Sequence, residues 1–362
     1  MNNSGNTSNM LAVSRAATAV YLILSSEGIT SREVIVPANL CYAAVYPIIY
    51  SGNIPLFCDV DPVTGNTDAG LILESLERAG NKENAAAVIL PHMYGKCIRK
   101  QVMDKISDIC RESNILLIED CASALGACDG EFRAGTAGDY AIYSFGYSKT
   151  VDLGGGGLIV SRRDMRPAGE MYKALDLLKE EDIANEKFFS RMYRLIRNSK
   201  DQSLGSTIWD ALLPKMRNVF IHRTDDPEKD AEICRVYSGP GEYIIRRREQ
   251  AGLYRSLIKW NPLITPYAYD PGDVPWRFSM FVDPSVRQDL IGHLLEVGVP
   301  VSDWYPAVTP IFGVSPVSSV GAPVFPGASY MEERILNLPL LIEDADIRTY
   351  TDIINVFFEG KT

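Results

Sequence analysis

The sequence predicts an α/β protein. A large domain over residues 1–240 is built on a mainly parallel mixed sheet, and a smaller α+β domain covers 241–362. Three observations predict it. Short apolar, β-branched runs alternate with helix-like stretches from about residue 11 to 161. From about 162 to 232 the character changes, and Lys, Arg, Glu and aromatic residues mix at helical spacing. Beyond 262, short strand-like and helical segments are interleaved. Alternation of the first kind buries a parallel sheet between helical layers. A length of 362 residues exceeds what one core usually serves, which also points to two domains.

The strand candidates are Val34–Pro37, Pro55–Val60, Ala85–Leu90, Ile115–Ile118, Tyr140–Phe145 and Leu158–Val160. The clearest helix between them is Val102–Arg111, with Val102, Ile106, Ile109 and Cys110 on one stripe. Lys187–Arg197 has helical spacing, Thr224–Lys229 is turn-rich, and Tyr243–Leu257 predicts a long Arg-rich helix. Val286–Val297 predicts a further helix, ended by Gly298.

A net charge of −10 argues against a nucleic-acid surface, which needs clustered Lys and Arg. The polar stretch Met1–Met10 lacks the basic start and apolar run of a signal peptide, and no apolar run is long enough to span a membrane. Seven cysteines form no CxxC pair, as expected of reduced thiols in the cytoplasm. His92, His222 and His293 are far apart, so no Cys/His metal site is expected.

In a parallel sheet, ligands sit outside the carboxyl ends of the strands. Four features follow strand candidates. Asp120 ends Ile115-Leu-Leu-Ile-Glu-Asp, and Lys149 closes Tyr143-Ser-Phe-Gly-Tyr-Ser-Lys. Gly154 to Gly157 is a glycine run before a strand, and Pro91-His92-Met93-Tyr94-Gly95 follows another. The glycine run lacks the Lys of a Walker loop and opens no helix. Alone, Asp120 would serve equally as a helix N-cap, and Lys149 as a surface charge. Together they supply what pyridoxal 5′-phosphate (PLP) chemistry needs. Lys149 is an amine for an imine, Asp120 a carboxylate for the pyridine nitrogen, and Ser144 and Ser148 are donors for the phosphate. Once freed, Lys149 could act as general base and acid.

The stretch Val34–Ser161 resembles the DegT/DnrJ/EryC1/StrS family, the sugar aminotransferases of PLP fold type I. The resemblance rests on "EVIVPANLCYAAVYPIIYSGNIPLFCDVDPVTGNTD" (33–68), "LPHMYGK" (90–96), "LLIEDCASALGA" (116–127) and "GTAGDYAIYSFGYSKTVDLGGGGLIVS" (135–161). Weaker landmarks are "RRREQAGLYRSL" (246–257) and "ILNLPLL" (335–341). The resemblance implies that Lys149 is the Schiff-base lysine, that Asp120 meets the pyridine nitrogen, and that Ser144 binds the phosphate. Ser14, Arg15 and Ala16 would take the place of the family's phosphate-binding helix start. Cys41, with Tyr42 beside it, falls at the ring-stacking position, and Ser123 lies near the cofactor's O3′. His92, Tyr94, Arg223, Arg277 and Tyr305 are substrate-side candidates. The implied reaction moves an amino group from an amino acid, glutamate or glutamine, to a keto group of a nucleotide-linked sugar or related metabolite. The implied assembly is a homodimer with shared active sites.

The sequence departs from the family where substrate and partner would be met. Arg15 and Ala16 replace Gly-Thr, Cys41 replaces an aromatic, and Gly155 replaces a Glu. The Asn-Tyr-Arg-Met element survives only as Arg223 in "IHRT", and the His of His-Tyr-Pro has become Trp304. The family's longer segment ahead of the phosphate helix is expected to be missing. Two other readings therefore stay open: a different PLP reaction such as elimination or substitution on an amino acid, and a non-catalytic binding or regulatory protein.

Overall fold

The computed structural model describes residues 9–78, 84–198, 202–312 and 324–361. The first half alternates strand and helix: β1 (Met10–Val13), α1 (Ala16–Ser26), β2 (Glu33–Pro37), α2 (Tyr42–Tyr50), β3 (Ile54–Cys58), α3 (Ala69–Arg78), β4 (Ala85–Pro91), α4 (Lys100–Glu112) and β5 (Leu116–Asp120). A short hairpin, β6 (Cys128–Asp129) and β7 (Phe132–Arg133), precedes β8 (Tyr140–Ser144) and β9 (Gly157–Ser161). Seven strands form one sheet in the order β1-β9-β8-β5-β4-β2-β3. Pairings from β3 through β8 are parallel, and β9 is antiparallel to both β8 and β1. This is an α/β fold with a mixed, mainly parallel sheet, as the sequence predicts.

Side chains alternate between two cores, as the strand period of two requires. Val34, Val36, Ala87, Ile89, Leu116 and Ile118 face one helical layer. Ile35, Val88, Leu90 and Leu117 face the other, beside Met103, Ile106 and Cys110 of α4. The buried stripe of α4 thus includes Met103, while Val102 and Ile109 lie at its edges, partly buried. A strand buried on both faces shows no polar alternation, which is why all of β4 is apolar and buried.

Four helices follow: α5 (Arg166–Lys173), α6 (Glu180–Asn198), α7 (Gln202–Phe220) and α8 (Pro227–Ser238). The turn-rich reading of Thr224–Lys229 holds only for its start. Pro227 opens α8, capped by Asp226, whose carboxylate accepts from Lys229 N–H at 3.0 Å. The last part comprises α9 (Gly241–Leu257), β10 (Ile264–Pro266), β11 (Phe278–Val282), α10 (Pro284–Glu296), α11 (Pro326–Arg334), β12 (Ile335–Leu338) and α12 (Asp344–Phe358). Its strands form an antiparallel sheet, β10-β11-β12. Tyr254, Phe278, Met280, Leu290, Leu336 and Ile354 build a separate core there. Among the described residues, no helix is long and apolar enough to cross a membrane.

β1 is absent from the sequence prediction, and it matters for the site. Being antiparallel to β9, it runs parallel to β8, so Val13 ends at the same sheet edge as Ser144. The chain then passes directly into α1, which brings that helix's N-terminus to the carboxyl edge of the sheet.

Candidate active site

A cavity of about 620 Å³ opens at this edge. It is lined by Asp120 at the end of β5 and Ser123 after it, Ser144 at the end of β8, Lys149 and Gly154 to Gly156 between β8 and β9, and Ser14 to Ala17 at the start of α1. Cys41, His92 and Tyr305 also line it. Residues far apart in sequence meet here because four neighbouring parallel strands end side by side.

Lys149 sits in a tight turn, its N–H bonded to the Gly146 carbonyl at 3.1 Å. Its Nζ donates to Ser123 Oγ at 3.4 Å and stands 6.0 Å from the centre of the Trp276 ring. Burial pulls the ammonium down, but Tyr305, Cys41 and Asp120 around it push it up by more, and the net direction is upward. Asp120 is held by the Ala122 N–H at 2.9 Å. Burial pushes its carboxyl up, against the pull of that N–H, of Lys149 and of His92. The Tyr305 hydroxyl is pushed up by burial, and its neighbours include Lys149, Cys41 and Ser123.

The N-terminus of α1 also borders the cavity. Helix α1 has neither a side-chain cap nor an acidic residue in its first turn, although Arg15, Ala16 and Ala17 line the cavity. An uncapped N-terminus leaves its first N–H groups and positive dipole end unpaired. Glycine lets two neighbours pack close here, α1 against Gly157 and α8 against Gly156. A Cβ on Gly157 would lie 2.7 Å from Ala16 N and from the Arg15 carbonyl carbon. Gly156, at φ +107°, would press a Cβ to within 2.5 Å of Ile233.

Several residues singled out in the sequence have other duties. The Ser14 hydroxyl bonds the His222 carbonyl and Thr18, so it is turned into the protein. Arg15 is held by the Val219 carbonyl and by Glu186, which neutralises part of its charge. Tyr42 does not line the cavity; it packs against Phe189, Tyr193 and Trp304 with ring centroids 4.8–5.8 Å apart. Ser148 also lies off the cavity lining, where its hydroxyl accepts from Arg277 Nε at 3.0 Å. Tyr94 is fully buried behind Tyr305, accepting that residue's N–H at 3.3 Å. Arg223 bonds the Leu175 carbonyl, and neither it nor Arg277 lines the cavity.

His92 faces the cavity, but both ring nitrogens are engaged. Nδ1 accepts from Ile98 N–H at 3.0 Å, so Nε2 carries the proton and donates to Glu119 at 3.0 Å. His92, Glu119 and Cys121 offer donor atoms within 4.8 Å of one another. Both Glu119 oxygens already accept hydrogen bonds, from His92 and from the N–H groups of Gly135, Ala137 and Gly138. This group is a buried hydrogen-bonded brace under Asp120.

A model of the DegT/DnrJ/EryC1/StrS aminotransferase family matches residues 3–199. The chain belongs to this family. It is 35% identical over 217 residues to GDP-perosamine synthase of Vibrio cholerae, a match spanning 60% of this chain and 55% of that protein. It is 28% identical over 340 residues to the dTDP-4-dehydro-2,3,6-trideoxy-D-glucose 4-aminotransferase of Saccharopolyspora spinosa, covering 88% of this chain and 76% of that one. Among solved structures, the aminotransferase TlmJ from Streptoalloteichus hindustanus superposes with a TM-score of 0.70 at 22% identity, over 98% of this chain and 87% of that one. That likeness shows a shared fold.

The cavity also recruits residues that are not among the site candidates of the sequence. Glu186 of α6, His222 and Thr224 after α7, and Asp226, Lys229 and Asp230 at the start of α8 form its outer wall. Lys229 Nζ reaches the Leu153 carbonyl beside the glycine run and pairs with Glu232. Burial pushes the Asp230 carboxyl up, helped by Asp226. Burial pulls His222 down, with Arg15 acting in the same direction. Glu186 lies where spacing predicts a helix but not which face meets the sheet, and the others lie in or beside the turn-rich Thr224–Lys229 stretch.

Proposed function

We propose that this chain is a PLP-dependent aminotransferase. It would move an amino group from an amino acid, glutamate or glutamine, to the keto group of a nucleotide-linked sugar or related metabolite. The observation that carries the reading is the convergence of Lys149, Asp120, Ser144 and the uncapped α1 N-terminus on one cavity. The names of the perosamine synthase and the dTDP-sugar aminotransferase support the substrate class.

The residues present fit PLP. Lys149 would hold it covalently through Nζ, Asp120 would face its ring nitrogen, and the first N–H groups of α1 would meet its phosphate with Ser144. The Ser144 hydroxyl makes no hydrogen bond among the described residues, so it is available as a donor. When bound, PLP supplies an aldehyde and an electron-withdrawing ring. Half-buried Asp120, kept as a carboxylate by a positive ring nitrogen, would stabilise charge there. Once released, Lys149 Nζ would take and return the substrate's α-proton as general base and acid. Ser123 and Tyr305, beside Nζ, would orient it between those roles.

The reading includes a cytoplasmic homodimer. Tyr147, two positions before Lys149, is 85% exposed, and Leu178 lines the cavity while 38% exposed. Apolar groups exposed at a cavity rim favour a partner surface that completes it.

The test is turnover of the PLP-loaded protein with L-glutamate and a nucleotide-linked 4-keto sugar. The proposal predicts equal amounts of 2-oxoglutarate and amino sugar. Release of ammonia without an amino-sugar product would place the chain in a different PLP reaction class.

A further inference from the structure

We propose that Arg247 is the positioning residue of this site: its buried guanidinium clamps the main chain at Lys149 and so fixes where Nζ stands. The inference rests on the reading of Lys149 given above.

Arg247 lies on α9 and is 3% exposed. Its Nε donates to the Thr150 carbonyl at 2.8 Å, and Nη2 donates to the Lys149 carbonyl. Its Nη1 donates to the carbonyls of Pro275, at 3.3 Å, and Trp276. Four carbonyls and no carboxylate receive this cation among the described residues. They come from two places, the turn after β8 and the segment entering β11. One side chain therefore ties together the lysine's own backbone and the Trp276 ring that its amine faces.

A second arginine grips the same turn. Arg277 Nε bonds the hydroxyl of Ser148, a non-glycine residue at φ +65°. That conformation persists only where surroundings hold it. The turn is thus gripped at Ser148, Lys149 and Thr150 in succession. Burial, and secondarily Arg277, pulls the Arg247 guanidinium down to about 10. Keeping an unpaired cation there is costly, and a packing role alone would be better met by an apolar side chain. What the guanidinium offers is a rigid planar fork able to bind several carbonyls at once, which an ammonium cannot copy.

A lysine that must move a proton at a defined atom depends on this placement more than cofactor capture does. Misplacement by about 1 Å can cost about 10²-fold in rate. The test uses Arg247→Lys, which keeps charge and most volume but removes the fork, beside Arg247→Met. Two readouts are compared with wild type. One is amide exchange of the apo-protein over residues 146–152; the other is the single-turnover reaction of the PLP-loaded protein with glutamate. The clamp predicts faster exchange confined to that turn, a Lys149-dependent visible band that still forms, and a half-reaction slowed by about 10²-fold. The glutamate concentration for half-saturation stays within about threefold. Wild-type exchange in the turn together with a wild-type rate in Arg247→Lys overturns the clamp. So does a parallel loss of rate, saturation and global stability. If Arg247→Met does not fold, Arg247→Lys decides alone. A wild-type protein with no Lys149-dependent band overturns the parent reading instead, and apo-protein exchange still tests the clamp.

Discussion

Replacing Glu119 by Gln removes one charge from beneath Asp120 while keeping shape. The Glu119 side chain is fully buried and accepts four hydrogen bonds: from His92 Nε2 at 3.0 Å, Gly135 N–H at 2.8 Å, Ala137 N–H at 2.7 Å and Gly138 N–H at 2.6 Å. One oxygen serves Ala137 and Gly138, the other His92 and Gly135. The Gln oxygen can keep one pair, but its NH₂ then meets two donors. A change of tautomer does not rescue His92, because Nδ1 already accepts from Ile98 N–H. Two charge-assisted bonds at about 1.5–3 kcal/mol each are lost. The expected destabilisation is about 3–6 kcal/mol, the sum of the two lost bonds. Urea unfolding measures it as a lower midpoint at unchanged slope. The pH dependence has a definite sign. Burial opposes the charged carboxylate, but His92 and the N–H donors more than offset it, and Glu119 ends below its ordinary 4.5. A depressed carboxyl contributes stability above its unfolded value and loses it as pH falls through the folded one. The gap between wild type and Glu119→Gln should therefore be constant above pH 4.5 and shrink below it. A gap under about 1 kcal/mol at neutral pH, or one that widens on acidification, refutes this account of the brace.

Other substitutions probe the cavity and its surroundings. Gly157→Ala pushes a methyl against the Arg15–Ala16 peptide, and overpacking of about 1–3 kcal/mol should appear as weaker PLP binding by equilibrium dialysis. Ser144→Ala removes one phosphate donor and should weaken PLP binding by about 1 kcal/mol without altering the unfolding midpoint of the apo-protein. Asp120→Asn should still take up PLP but slow the glutamate half-reaction by about 10²-fold or more, read by stopped-flow absorbance. Tyr42→Leu should leave PLP affinity unchanged and lower the thermal midpoint, because its ring contacts lie in the aromatic cluster around Phe189 and Tyr193.

What was legible in the sequence was local. Asp120 and Lys149 each follow a buried strand within a few residues, so strand ends and short motifs locate them. The sheet itself shows as apolar runs, because strands buried on both faces leave no polar interruption. β1 escaped because Met10–Val13 is only four residues and acquires meaning through pairing with β9, almost the whole first half away. Ser148 and Tyr42 were misread for a related reason. Both chain neighbours of each line the cavity, but backbone direction turns Ser148 and Tyr42 themselves elsewhere. Ser148 has a positive φ, and Tyr42 follows the Cys41 N-cap into α2. His92 is a substrate-side candidate through the family resemblance; its two hydrogen bonds, from Ile98 and to Glu119, are contacts that no spacing announces. Arg247 was one of three consecutive arginines in a predicted helix, and only the packing of α9 on the Lys149 turn distinguishes it.

The most direct test of the central claim is the visible absorbance of the purified protein with PLP, beside Lys149→Ala. The account predicts a band in wild type that sodium borohydride fixes onto Lys149, that glutamate bleaches, and that Lys149→Ala lacks. A wild-type spectrum matching free PLP, or an identical band in Lys149→Ala, would contradict it.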